Sequence, residues 1–173
     1  MLFVIDANIF AGFFRVCSGV PGEPLTGDPC GLFDLENTAA TIAFDAGNHV
    51  ESEWTRVVPA EWATAWIGDA LIKGKIRHFH AVVDPSLVAL LRRFGFPLRG
   101  SGDLWYLRLA DSSSVKGEGC LVVTEDLDFF DPRQKGTITG AARLKFLREH
   151  RGPLRRALEK QRKICVRCVH GVI

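Results

Sequence analysis

With 173 residues, 47% of them hydrophobic and 24% charged, the chain is long enough for one domain with a substantial core, and its composition excludes a wholly disordered or disulfide-stapled protein. No stretch approaches the roughly 18 apolar residues of a membrane span, and the N-terminal apolar run is too short for a signal peptide, so a cytoplasmic protein without a membrane partner is expected. The net charge of +2 hides an asymmetry: residues 1–140 hold 12 Lys and Arg against 18 Asp and Glu, whereas residues 141–173 hold 10 against 2. An acidic body with a basic C-terminal segment suits a polyanionic partner such as nucleic acid, with solvated basic helices as the alternative.

L-F-V-I at residues 2–5 is rich in β-branched and aromatic residues and predicts a strand buried on both faces. Residues 9–16 predict a short helix, and 18–29, with three Gly and three Pro, a surface loop able to act as a flap. A helical turn or two is expected over 30–38, then a strand in T-I-A-F-D and a helix from 50, interrupted by Pro59 and resuming with Trp62, Trp66, Ala70 and with Ile67, Leu71 at helical spacing. Residues 76–84 read as strand-like, and 85–95 as a helix with Pro85 at its start and Gly95 at its end. A further helix with Leu104, Leu107 and Ala110 on one face is expected after G-S-G at 100–102, and then G-C-L-V-V-T, another buried strand. Residues 125–137 form an acidic loop, 141–150 and 153–163 two basic helices, and I-C-V-R-C-V at 164–169 a last strand. Alternating strands and helices place the chain in the α/β class with a mostly parallel sheet.

Two of the buried strands end alike, with Asp6 after L-F-V-I and Asp126 after L-V-V-T-E. In a parallel sheet those ends share one edge, where ligands bind in open α/β folds, so the two carboxylates can converge. Asp103 opens a helix, and Glu53 lies in the first turn of another. Each alone serves equally well as a helix cap or dipole partner. Together, four carboxylates repel one another and raise their own pKa values unless cations neutralise them, and oxygen-only ligands suit Mg²⁺ or Mn²⁺. Such a cradle points to metal-assisted phosphodiester chemistry.

Taken together, V-I-D-A-N-I-F, V-E-S-E-W, G-D-L-W-Y-L-R-L-A and L-V-V-T-E-D-L-D-F resemble, in order and spacing over residues 2–131, the four acidic motifs of the PIN-domain nucleases. The resemblance implies a three-layer α/β/α sandwich around a short, mostly parallel sheet, spanning 1–173 with a basic helical segment and last strand at about 138–173. It also implies cleavage of RNA with one or two Mg²⁺ or Mn²⁺ ions, in a toxin-type or RNA-processing role, with an antitoxin or other regulatory protein as a partner. Asp6, Glu53, Asp103 and Asp126 would be the catalytic acidic residues, with Asp6, Asp103, Asp126 and Asp128 on the metal and Asn8 and Thr124 as polar supports. Glu51 competes with Glu53 for the second motif, and Trp54 favours Glu53. Within the basic segment Arg143, Lys145, Arg155 and Arg156 are the candidates for RNA phosphates.

Other readings are weaker. A haloacid-dehalogenase-like phosphatase needs a second Asp where Asn8 stands, and D-A-N-I-F-A-G lacks the glycine fingerprint of a dinucleotide site. Cys165, Cys168 and His170 suggest zinc, but strand alternation sends the two Cys to opposite faces and no second CxxC exists. His78 and His80 would share a strand face, and Ser112–Ser114 lack partners for nucleophilic catalysis. Five scattered Cys are expected to be reduced thiols. A non-catalytic PIN-like module binding RNA or protein, and a DNA nuclease, stand as alternatives, and the Phe and Trp positions fit core or a dimer face alike.

Overall fold

In the computed structural model, which describes residues 2–99, 102–114 and 119–172, five strands form one sheet. They are β1 (Leu2–Ile5), β2 (Thr41–Asp45), β3 (Ile76–Phe79), β4 (Cys120–Val123) and β5 (Ile164–Arg167). All pairings are parallel, in the order β3-β2-β1-β4-β5. Between them lie α1 (Ala7–Ser18), α2 (Cys30–Phe33), α3 (His49–Val57), α4 (Ala60–Ile72), α5 (Pro85–Arg93), α6 (Asp103–Ser114), α7 (Gly140–Arg148) and α8 (Pro153–Arg162). The chain steps outward from β1 to β3, returns past β1 to β4, and ends at β5. Right-handed crossovers then put α1–α4 on one face and α5–α8 on the other, a three-layer α/β/α sandwich as expected. The strand order reverses between β1 and β4, so the crevice at this switch point opens beyond Ile5 and Val123, which lie opposite each other.

β1 and β4 are buried along their whole length, which is why their sequences carry no polar alternation. On the first face Phe10 stacks on Trp54 with ring centroids 4.1 Å apart, and Phe13 on Phe33 at 4.6 Å. Trp54 is fully buried, and its Nε1–H donates to the carbonyl of Ile5 at 3.1 Å, so α3 is pinned to the end of β1. Phe13, Phe14, Trp62 and Trp66 are partly buried and pack against this core. The opposite face is closed by Leu104, Leu107 and Ala110 of α6 with Leu87 and Leu91 of α5 and Leu154 and Leu158 of α8.

Several boundaries differ from the sequence reading. The first helix begins at Ala7 rather than residue 9, because the Asp6 carboxylate caps it by accepting from the Asn8 N–H, and it runs on to Ser18. The strand expected over 76–84 ends at Phe79, and Leu71 of α4 faces solvent. The last strand stops at Arg167, since the Val169 and His170 N–H groups turn away to Glu125 Oε1 and Thr26 Oγ1. The acidic loop holds two 3₁₀ turns, Leu127–Phe129 and Pro132–Gln134. The start of α8 docks on Phe130, whose carbonyl accepts from the Leu154 N–H, and here a Cβ at position 152 would come within 2.2 Å of that oxygen. Only Gly152, with φ of 135°, fits. No helix among the described residues is long and apolar enough to cross a membrane.

Candidate functional site

Asp6 and Asp126 leave β1 and β4 side by side at the switch point. Asp6 is 3% exposed, and both of its oxygens are engaged: Oδ1 accepts from the Asn8 N–H at 3.1 Å and Oδ2 from the Thr124 hydroxyl at 2.7 Å. The same Thr124 oxygen accepts from the Asp126 N–H at 3.0 Å, so this one hydroxyl sets the two strand-end carboxylates relative to each other. Asp126 in turn caps the next 3₁₀ turn through the Asp128 N–H at 2.9 Å. The Thr124 side chain thus meets both carboxyl-bearing residues, whereas Asn8, itself exposed, meets Asp6 through its backbone N–H.

The sequence-predicted acids do not all converge. Among the described residues, Asp103, Asp126 and Asp128 form the group whose carboxylate oxygens all lie within 4.8 Å of one another. Asp6 stands beside this trio. Burial, reinforced by the charges of Asp6 and Asp126, pushes the Asp103 pKa up to about 7, and burial with some repulsion from Asp126 raises Asp6 to about 6. Glu53 approaches from α3: its Oε1 pairs with Arg56 at 2.5 Å, and a Cβ on Gly102 would come within 2.9 Å of it. Glu53 thus borders the entry to α6 without joining the trio, and the Trp54 contact to Ile5 holds it there.

Three partners went unread in the sequence. Lys135 Nζ donates to Asp126 Oδ2 at 3.1 Å and to Asp128 Oδ2, placing an ammonium between two members of the trio. Burial works against that charge, but the two carboxylates outweigh it and hold the Lys135 pKa above its usual value. Tyr106, one turn after Asp103, accepts the Ala7 N–H on its hydroxyl oxygen at 3.1 Å; burial and the surrounding carboxylates keep it protonated. Glu125, 1% exposed, collects the Thr26 hydroxyl (2.5 Å), the Thr26 N–H (3.2 Å) and the Val169 N–H (3.2 Å) on Oε1, while its buried Oε2 has no hydrogen-bond partner. The loop expected to be a free flap is therefore pinned at Thr26, whose carbonyl also accepts from Arg148 at 3.0 Å. T-E-D contained the Glu125 signal, a third acid at the strand end; a loop lysine such as Lys135 has no periodicity to betray it.

The basic candidates divide. Arg143 donates to the Glu125 carbonyl at 2.6 Å and lines, with Arg15, Lys135 and Asn8, a cleft of about 460 Å³ that runs from Asp126. Lys145 and Arg156 are exposed, and Arg155 pairs with Glu159 at 2.8 Å. All five cysteines are free thiols, and no His or Cys joins a metal-holding group among the described residues, so neither Cys165, Cys168 and His170 nor His78 and His80 form one. The arrangement is an oxygen-only cluster at the sheet edge, cross-linked by a lysine and bordered by a partly cationic cleft. Compared with protein-family models, curated proteins and solved structures, the chain matches none.

Proposed function

We propose that the chain is a divalent-metal-dependent endoribonuclease of PIN-like type, hydrolysing RNA phosphodiester bonds in the cytoplasm. The carrying observation is the meeting of Asp103, Asp126 and Asp128 within 4.8 Å at the switch point, with Asp6 beside them. An oxygen-only donor set fits Mg²⁺ or Mn²⁺, and the like-charge crowding that lifts Asp103 to about 7 is what a divalent cation relieves. Asp103, Asp126 and Asp128 would hold the ion, with Asp6 adjoining. Such an ion lowers the pKa of a water and offsets charge on a phosphate. Thr124 and Asn8 keep Asp6 and Asp126 oriented, and the neutral Tyr106 hydroxyl sits within the field of Asp6, Glu53 and Asp103. Arg15 and Arg143 in the adjoining cleft suit backbone phosphates.

A second reading has its own support: Lys135 already neutralises Asp126 and Asp128, as a metal-free binding module would require. Labelled single-stranded RNA and DNA, incubated with Mn²⁺, Mg²⁺ or EDTA, separate the two. Nuclease action is expected to cut RNA only with metal and to fall by about 100-fold or more in Asp103→Asn and Asp126→Asn, which retain their circular dichroism. RNA binding indifferent to EDTA, with no cleavage, favours the module; metal-dependent cutting of DNA alone moves the substrate class.

A further inference from the structure

Beyond the carboxylates, α3 and α6 present an aromatic stack. The imidazole of His49 lies on the indole of Trp105 with centroids 3.6 Å apart and planes 12° from parallel. His49 is the first residue of α3 and Trp105 lies in the first turn of α6, two residues after Asp103. The ring is held from below. Asp45, 1% exposed at the end of β2, accepts the His49 and Val50 N–H groups at 3.1 and 2.8 Å and faces His49 Nδ1 at 2.8 Å. An ionised carboxylate only accepts, so Nδ1 carries the proton and the ring rotamer is fixed. Gly47 leaves room for this placement, since a Cβ there would come within 2.9 Å of the imidazole. Arg108 Cζ lies 4.9 Å from the Trp105 centroid, so the indole is already contacted by two groups. The His49 side chain nevertheless remains 44% exposed.

A surface aromatic with both orientation and support fixed in advance gives up little entropy when a flat group lands on it. Its place selects the flat group. Asp45, which anchors His49, ends β2 on the same sheet edge where Asp6 follows the parallel β1, and along α3 Glu53, one turn from His49, abuts Gly102 at the entry to α6, so the stack adjoins the carboxylate edge. We propose that the His49–Trp105 stack is a nucleobase-binding platform for an unpaired base of single-stranded RNA next to the phosphodiester at the carboxylates, an inference that rests on the ribonuclease reading. Base–aromatic stacking tolerates any base, so the platform supplies affinity rather than sequence choice.

Binding of a short fluorescein-labelled single-stranded RNA, followed by anisotropy at low salt in EDTA so that nothing is cut, tests it. Because His49→Ala bares the Trp105 ring, the decisive variant is His49→Ala with Trp105→Leu, checked for folding by circular dichroism. Its affinity is expected to fall about 10-fold, while His49→Phe, which keeps a stacking plane, stays within about twofold of wild type. An oligonucleotide made abasic at each position in turn is expected to lose the same factor at one position. A double variant that binds as well as wild type, or a wild type that binds no single-stranded RNA, overturns the platform. Binding through the stack without any cutting in Mn²⁺ would instead sink the ribonuclease reading and leave the platform standing.

Discussion

Lys135 and a divalent ion compete for the same two carboxylates. The ammonium reaches Asp126 and Asp128, both part of the trio that would hold a metal, from a side chain that is half exposed and followed by Gly136 at φ 76°. The ammonium is itself solvent-accessible although Asp128 is buried, so an ion can displace it where it takes over the charge at both carboxylates. Lys135→Met is therefore expected to bind Mn²⁺ about fivefold more tightly by calorimetry, the equivalent of about 1 kcal/mol, the upper range for such a pair. In EDTA the same variant is expected to melt at a lower temperature than wild type, because Asp126 and Asp128 then face each other without a counter-charge. Unchanged Mn²⁺ affinity would show that the lysine and the ion do not share a seat. The strand-end acids around it were readable, since a charge closing an apolar run must lie at the sheet edge. Asp45 closes T-I-A-F in the same way as Asp6 closes L-F-V-I and was passed over, and it serves α3 and His49. Lys135 lay in a loop without periodicity, and its role depends on two 3₁₀ turns that no spacing rule announces.

At the level of elements, α5, α6 and α8 meet at one guanidinium. Arg162, at the end of α8, donates to both oxygens of Asp111 on α6 at 2.8 and 2.6 Å, to Ser86 at 2.7 Å, and to Asp84, the N-cap of α5. Asp111 is largely buried, so Arg162→Met leaves it uncompensated and is expected to cost about 3 kcal/mol in urea unfolding. The Arg162 guanidinium, with help from Ser86, holds the Asp84 pKa down to about 2, below the value of 3.8 expected when unfolded. A depressed carboxylate pKa means that the unfolded chain binds the proton more readily; the stabilisation is full above about pH 4 and is lost as pH falls through 2. The gap between wild type and Arg162→Met is thus expected to hold steady from pH 7 to 5 and to narrow between 4 and 2. A gap that widens on acidification would contradict the clamp. The helices themselves were readable from apolar spacing, but the clamp was not: its members are 51 and 78 residues apart in sequence, and single charges carry no pairing signal.

Over the whole molecule, the basic C-terminal segment that suggested a polyanion is in large part used for internal attachment. Arg143 and Arg148 bind the carbonyls of Glu125 and Thr26, Arg155 and Arg167 share Glu159, Arg151 meets Glu149, and Arg162 is the clamp. Charge asymmetry along a sequence therefore overstated the free cationic surface, because several of these guanidiniums are taken up by backbone carbonyls, by Glu149 and Glu159 of the segment itself, and by Asp84 and Asp111. Two tracks remain for a phosphate backbone: the cleft beside Asp126, where Arg15 and Arg143 face Lys135, and the exposed Lys145 and Arg156 on α7 and α8. A single strand releases about 0.7 counterion per phosphate neutralised, so each lost contact flattens the salt dependence by that amount. Arg143→Gln is expected to lower the slope of log affinity for single-stranded RNA against log salt concentration by about 0.7, and Arg155→Gln, whose charge is matched by Glu159, to leave it unchanged. Equal flattening in both variants would place the RNA on the helical face that the sequence first suggested; flattening in Arg143→Gln alone would run the strand through the cleft, with its phosphates leading to the carboxylates at the switch point.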